Sequence, residues 1–474
     1  MVGVPRSGGC QLCRKRRVKC DQGRPGCGNC LKYGVRCPGF ERGLKFVPGK
    51  HQIRPKGKQG DGECTGARGG YGQDGHNLTA LVAAPRPNRG QYISTMVYTV
   101  RASISLSDAT DFLCWIELGR LGARAVLDGA MCAVATHLVG KERADEAMVV
   151  HSRTIYGWSL AALRTSLGHA TEWKSSETLC AAMLLCVFEL FAGTASSDAW
   201  LRHARGLGTL IKQRGPAAHA EGWDASMLLA FRGILIMCDM FNQTSEPCFL
   251  SRPGWKPLIR DGGRHLIHPP HLPNRTIEIA DGFFERLAEL PAIVMPTYSL
   301  RQSRTMGTVQ QPEPKKIAAL AQRAINCRRL FDLWYQDFKA LAGMPDEVPS
   351  RDQTSPFATV FQHRIAWMGS MHMGYWASIL IFQEALAQCQ WPGGYEEPRE
   401  ELVGNILRSV ESVGSGTMGP HRVGFSVRVA YEFASSEHKR WIVALLDRFK
   451  GIYAAIDGAT YHRPSKDTEA GQPC

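Results

Sequence analysis

Six of the chain's sixteen cysteines fall within residues 10–37, in the stretch CQLCRKRRVKCDQGRPGCGNCLKYGVRC. Their spacing is Cys10-x2-Cys13-x6-Cys20, then Cys27-x2-Cys30-x6-Cys37, one unit written twice with an offset of seventeen positions. Thiolates at such spacing suit soft, tetrahedral metal ions, zinc first among them. A repeated three-thiolate unit implies a pseudo-twofold cluster of two metals. Two tetrahedral zinc ions need eight coordination positions, so six thiolates suffice only if two of them bridge. The pseudo-symmetry makes the bridges equivalent residues: Cys10 with Cys27, Cys13 with Cys30, or Cys20 with Cys37. A one-zinc ribbon on Cys10, Cys13, Cys27 and Cys30 would leave Cys20 and Cys37 spare, although these two occupy the same place in their repeats. A disulfide knot would need an oxidising compartment, and the opening MVGVPRSGG has no apolar signal-peptide core.

The same stretch concentrates charge. Residues 1–60 carry fifteen Lys and Arg against Asp21 and Glu41, a balance of +13, whereas the whole 474-residue chain carries +14. A basic arm joined to a neutral body is the pattern of a protein that meets a polyanion. The two cysteine units differ in this respect: RKRRVK stands between Cys13 and Cys20, but only LKYGVR between Cys30 and Cys37. A short helix starting at the first CxxC turn carries Arg14, Lys15, Arg16 and Arg17 at its far end. Arginine's planar fork matches O6 and N7 of guanine in the major groove, while lysines and the remaining arginines serve phosphates. RKRRVK and RPKGK at 54–58 also suit nuclear import.

Residues 10–37 resemble the DNA-binding domain of the fungal binuclear zinc cluster transcription factors, and all six cysteines fall on that family's pattern. The resemblance implies two zinc ions per chain and selects Cys10 and Cys27 as the bridges. It gives Cys13 and Cys20 to one site, Cys30 and Cys37 to the other, and places Pro25 in the loop between the halves. It also implies that Arg17, then Arg16, reads a CGG-type triplet of double-stranded DNA, and that Lys19 contacts phosphate. Further on, Trp200, His203, Arg205, Gly206, Leu210, Ile211 and Arg214 to Pro216 are similar to the regulatory regions of such factors, often found beside secondary-metabolite genes. The implied function is sequence-specific, RNA polymerase II-type transcription regulation in the nucleus, directed at a biosynthetic gene cluster.

A frame of this size cannot fold on apolar burial, so metal must supply most of its folding energy, roughly 10 kcal/mol or more per structural zinc. The expected architecture is a small metal-stabilised zinc binuclear cluster domain over residues 1–40 and a large all-α regulatory domain over 92–460. A basic Gly/Pro-rich linker, 41–91, joins them, and a flexible tail, 461–474, closes the chain. The linker has no sustained heptad register, so no coiled coil is expected, and dimerisation is left to the body. Apolar residues at three- and four-residue steps predict helices over 143–167, 175–192, 198–213, 224–242, 314–342, 358–390 and 437–456. The run 179–193 is shorter than the roughly 20 residues of a membrane span and contains Glu189, so no membrane segment is expected.

The body offers little enzyme chemistry. GSGTMG, with Gly414, Gly416 and Gly419, matches a dinucleotide fingerprint but follows an amphipathic helix rather than a strand, and Pro420 interrupts it. GxSxG, Walker and HExxH patterns are absent from the sequence. His265, His268 and His271 sit in a proline-rich stretch that reads as a surface loop. The ten other cysteines, Cys114, Cys132, Cys180, Cys186, Cys238 and Cys327 among them, lie singly in apolar segments and read as small buried hydrophobes. WMGSMHMGYW at 367–376 reads as core, and as the first place to seek a small-molecule effector or co-regulator. No catalytic role is expected. The competing reading is a helical metabolite-binding or catalytic protein whose zinc arm only anchors it to nucleic acid.

Overall fold

The computed structural model describes residues 10–16, 18–21, 23, 27–35, 37, 115–122, 124–192, 199–240, 247–262, 274–305, 313–394, 396–416 and 418–455. They belong to two compact units, one within residues 1–72 and one within residues 73–474. Arg17, Pro25, Cys114, the linker 41–91, the His265 to His271 stretch and the tail 461–474 lie outside the described residues.

In the first unit, α1 (Gln11–Lys15) and α2 (Gly28–Lys32) are one-turn helices. Each begins immediately after the first cysteine of its repeat and carries the second cysteine as its third residue, so the doubled sequence becomes a doubled structure. Five residues cannot hold a helix alone, because nucleation costs more than one turn returns. The cysteines Cys10, Cys13, Cys27 and Cys30 are fully buried among themselves, with Leu12, Cys20 and Cys37 against them, and this is the core of the arm among the described residues.

The second unit is built from thirteen helices among the described residues and one small hairpin. Its first half comprises α3 (Ala125–Glu142), α4 (Glu146–Gly168), α5 (Ser176–Ala192), α6 (Ala199–Arg214) and α7 (Gly222–Met240). Helix α5 is apolar on every side, with Leu179, Cys180, Met183, Leu184 and Phe188 essentially inaccessible, so it must be enclosed. Helices α3, α4, α6 and α7 pack around it. Glu189, its one acid in the apolar run, is buried and accepts a hydrogen bond from the Tyr156 hydroxyl of α4. That pairing makes its burial tolerable. No helix among the described residues is long and apolar enough to cross a membrane.

The second half comprises α8 (Lys256–Asp261), α9 (Asn274–Leu287), α10 (Pro291–Thr305), α11 (Pro314–Ala342), α12 (Ala366–Gln388), α13 (Arg399–Val413), α14 (Gly419–Phe433) and α15 (Ser436–Lys450). Here α12 is the enclosed helix, and α10, α11, α13 and α14 pack against it. A buried ion pair, Arg232 Nη1 to Asp281 Oδ1 at 2.6 Å, ties α7 to α9. The two halves share one continuous apolar core.

One sequence expectation changes. The helix expected over 358–390 begins only at Ala366, because Thr359–Gln362 forms strand β2, paired antiparallel with β1 (Asp346–Pro349). The β-branched and aromatic Thr359, Val360 and Phe361 favour that strand, and Arg408 of α13 fixes it by donating to the Thr359 carbonyl at 3.0 Å. The body is therefore helical with one two-stranded hairpin. Pro420, which interrupts the glycine motif, sits in the first turn of α14, where its missing N–H costs nothing.

Candidate metal centre and nucleic-acid interface

The pseudo-twofold helices α1 and α2 bring all six cysteines of the arm together. Two sets of four Sγ atoms each lie within 4.8 Å of one another: Cys10, Cys13, Cys20 and Cys27, and Cys10, Cys27, Cys30 and Cys37. Cys10 and Cys27 belong to both sets. Their sulfurs are 3.7 Å apart; Cys10 to Cys30 and Cys13 to Cys27 are each 3.6 Å, and Cys37 to Cys27 is 4.0 Å. Sulfurs about 2.3 Å from a tetrahedral zinc are separated by about 3.8 Å, so the spacing fits two ions that share an edge. No pair among these six thiols is closed as a disulfide.

Burial makes this arrangement unfavourable without a cation. Burial first, then the Cys10 and Cys27 thiols, push Cys13 up to about 12, and burial pushes Cys27 and Cys30 up as well. Bound zinc supplies the positive charge that makes these groups thiolates and serves as the arm's structural core. The backbone assists: the N–H of Cys13 donates to Cys10 Sγ and that of Cys10 to Cys20 Sγ, each at 3.4 Å.

Two residues outside the cysteine pattern brace the frame. Asp21, just after Cys20, accepts from the N–H of Gly28 at 2.8 Å and of Asn29 at 3.3 Å, capping the start of α2 from the other half. The Gly28 N–H, foremost, holds its carboxyl below the usual carboxylate range. Asn29 donates from Nδ2 to the Lys19 carbonyl at 2.5 Å. Tyr33, just after α2, lies under Arg16, whose guanidinium carbon is 3.4 Å from the ring centroid.

Of the basic residues singled out by sequence, Arg14 and Lys15 occupy the last turn of α1 and Arg16 follows it. Lys15 and Lys19 are exposed and Arg16 is half-buried; the side chains of Arg14 and Arg17 are outside the description. The structure thus places the described cations on the surface beside a buried thiol cluster. Asp21 and Tyr33 were missed by charge and thiol patterns, since neither binds metal nor adds to the basic run.

Residues 8–45 match the fungal Zn(2)-Cys(6) binuclear cluster domain, and residues 96–258 match the fungal specific transcription factor domain. The chain thus matches two domains of fungal transcription factors, the first of them a zinc cluster. The cluster domain implies two zinc ions, in keeping with the shared-edge geometry. Among relatives, an "Uncharacterized protein AN5342" of Emericella nidulans is 33% identical over 190 residues, 40% of either chain. Over 29 residues, 6% of this chain, "Sterol uptake control protein 2" of Candida albicans is 62% identical, covering 4% of that protein. "Zn(2)-C6 fungal-type transcription factor afumD" of Aspergillus fumigatus is 59% identical over 29 residues, covering 6% of this chain and 8% of that factor. The chain therefore spans 40% or less of the length of these relatives. No solved structure matches it.

In the helical body, the Trp200 to Pro216 motif has structural work. Leu207, Leu210 and Ile211 are core, and Trp200 is half-buried against it. Arg214 pairs with Asp224 at 2.6 Å and donates to the Lys174 carbonyl at 2.9 Å, joining the end of α6 to α7. Gly215 turns the chain at φ 80°, open to glycine and strained for other residues. Gly414 ends α13 and Gly419 starts α14, so the GSGTMG stretch is a helix–helix turn. Cys180, Cys186, Cys238 and Cys327 are buried, and burial pushes the last two up to about 11.

Proposed function

We propose that the chain is a nuclear, sequence-specific DNA-binding regulator of RNA polymerase II transcription. Cys10 and Cys27 bridge two zinc ions; Cys13 and Cys20 complete one site, Cys30 and Cys37 the other. The metal frame aims α1 at the major groove. Arg17 and Arg16 read a CGG-like triplet, and Arg14, Lys15 and Lys19 hold phosphates. The observation that carries this reading is the position of the basic run at the end of a helix braced by the thiol cluster.

One cluster covers about three base pairs, too few for useful affinity, so a second half-site, linker contacts or a neighbouring factor completes the site. Dimerisation falls to the helical body. That body, over 92–460, receives a small-molecule effector or a co-regulator, and the 41–91 linker tethers it to the 1–40 arm. The likeness of the Trp200 to Pro216 motif to regulators beside secondary-metabolite genes supports control of a biosynthetic gene cluster. The reading assigns no catalytic step.

Selection of random duplexes by the zinc-loaded full chain tests it, with enrichment of CGG-like triplets expected. Arg17→Ala relaxes that preference at a cost of roughly 1–3 kcal/mol. Lys19→Ala weakens matched and scrambled sites alike and lowers the salt slope by about 0.9. Binding indifferent to sequence favours instead a helical metabolite-binding or catalytic protein whose arm only anchors it.

A further inference from the structure

We propose that the helical body holds a binding site for a compact, ring-bearing apolar molecule with one acidic group, in the cavity between α7, α9, α12 and α14. The proposal rests on the body's reading as the signal-receiving part, and gives that signal a place and a ligand class. The cavity measures about 450 Å³, within the roughly 300–1,000 Å³ of small-molecule sites.

Its walls are aromatic and thioether: Trp200 of α6, Met237 of α7, Phe283 and Phe284 of α9, and Phe425 of α14. These walls are set before any ligand arrives. Phe283 is seated on Gly374 of α12, where a Cβ would stand 2.6 Å from its ring. Phe284 faces Gly233 of α7 and lies under the Arg232 guanidinium, 4.2 Å from its centroid. Arg232 is in turn fixed by Asp281. Rings that cannot fold inward keep the space open and favour a flat guest.

The polar lining comes mainly from α14, through His421, Arg422, Ser426 and Arg428, and none of the described lining residues is acidic. Arg428 pairs with Glu432 one turn on, and Arg301 meets the same carboxylate at 3.7 Å. The first turn of α14 faces the cavity through Pro420, His421 and Arg422, adding the positive end of a fifteen-residue helix. His421 shares a hydrogen bond with the Tyr453 hydroxyl at 2.9 Å, and burial holds its imidazole neutral, down to about 4. The lining therefore offers hydrogen-bond donors and positive charge beside aromatic faces, which suits an aryl acid.

The location suits a signal. Leu190, Trp200 and Met237 come from α5, α6 and α7, whereas Phe283, Gly374 and Arg422 come from α9, α12 and α14. A ligand binding only the closed cavity stabilises the contact of the two halves by mass action. Of the 367–376 stretch singled out by sequence, Ser370 and Gly374 line the cavity, while Met371, Met373 and Trp376 are core.

The test titrates the zinc-loaded full chain with 8-anilinonaphthalene-1-sulfonate and with N-phenyl-1-naphthylamine, the same rings without the acid. We expect one saturable sulfonate site per chain. The double variant Arg422→Gln, Arg428→Gln lowers sulfonate affinity roughly 10- to 100-fold, the range of a charged hydrogen bond, and leaves the neutral dye unchanged. Met237→Trp fills the cavity and removes both; should it fail to fold by circular dichroism, Ser370→Phe fills the same space. Absence of saturable binding, equal effects of the arginine variants on both dyes, or full binding by a folded filled variant overturns the proposal. DNA plays no part in the titration, so its failure leaves triplet reading intact, and failed triplet reading leaves the titration intact.

Discussion

The guanidinium carbon of Arg16, from the first cysteine unit, sits over the ring of Tyr33, from the second, 3.4 Å from its centroid. A guanidinium held over an aromatic face gains cation–π attraction and loses rotamer freedom. The second unit therefore does more than scaffold the metals: it orients a cation of the first. Tyr33→Leu should weaken DNA binding about 2- to 5-fold, as expected for roughly 0.5–1 kcal/mol of exposed cation–π energy. Tyr33→Phe should bind as the parent does. Fluorescence anisotropy on a selected duplex reads both, and zinc content should be unchanged.

Asp21 caps α2 across the pseudo-twofold, so its loss should loosen the frame rather than the DNA face. Asp21→Ala should cost about 1 kcal/mol, the usual worth of such a cap. Competition with a chelator should therefore strip zinc from the variant at about fivefold lower chelator concentration. Equal resistance in parent and variant would show that the cap contributes nothing.

Gly374 is a steric requirement of the body. A Cβ there would come 2.6 Å from Cζ of Phe283, and ring and helix are both buried. Although alanine favours helix, Gly374→Ala should destabilise the body by about 1–3 kcal/mol through overpacking. Urea unfolding followed by circular dichroism measures it, and a more stable variant would contradict the packing.

The body should be sensitive to acid. Burial holds His137 and His372 down to about 4 and His363 to about 3, and lowers His203 and His219. With His421, six imidazoles are kept neutral when folded, yet they take protons near pH 6.5 when unfolded. The contribution of His137, His363, His372 and His421 is complete above pH 6.5 and is lost as pH falls toward 4, by up to about 1.4 kcal/mol per unit for each group, and His203 and His219 act in the same direction. Asp239 and Asp332, raised by burial, act in the opposite sense but are fewer. The melting temperature should hold above pH 6.5 and fall steadily below it. A flat profile between pH 6.5 and 4 would contradict neutral burial.

The cysteine pattern alone carried the doubling of the arm, because a ligand count and an offset are one-dimensional facts that metal geometry converts directly into three dimensions. The choice of shared pair was open in the cysteine spacing, where three pairs were equivalent, and it was the family resemblance that selected Cys10 with Cys27; these two fall in both sulfur tetrads of the structure. Helices with strong periodicity were legible almost to the residue, as with 314–342 against Pro314–Ala342. Thr359–Gln362 was not, because its apolar residues run into those of α12 and only the strand partner separates them. Arg16 on Tyr33, Asp21 on Gly28 and Phe283 on Gly374 were hidden for one reason: each joins residues whose meeting depends on how helices dock.

The central claim is that six thiols hold two metals by sharing two of them. Native mass spectrometry of the full chain, loaded with zinc under reducing conditions, tests it most directly. The predicted mass is that of the chain with two zinc ions, both lost together on chelation. A chain that saturates with a single zinc would contradict the shared-edge cluster and the reading built on it.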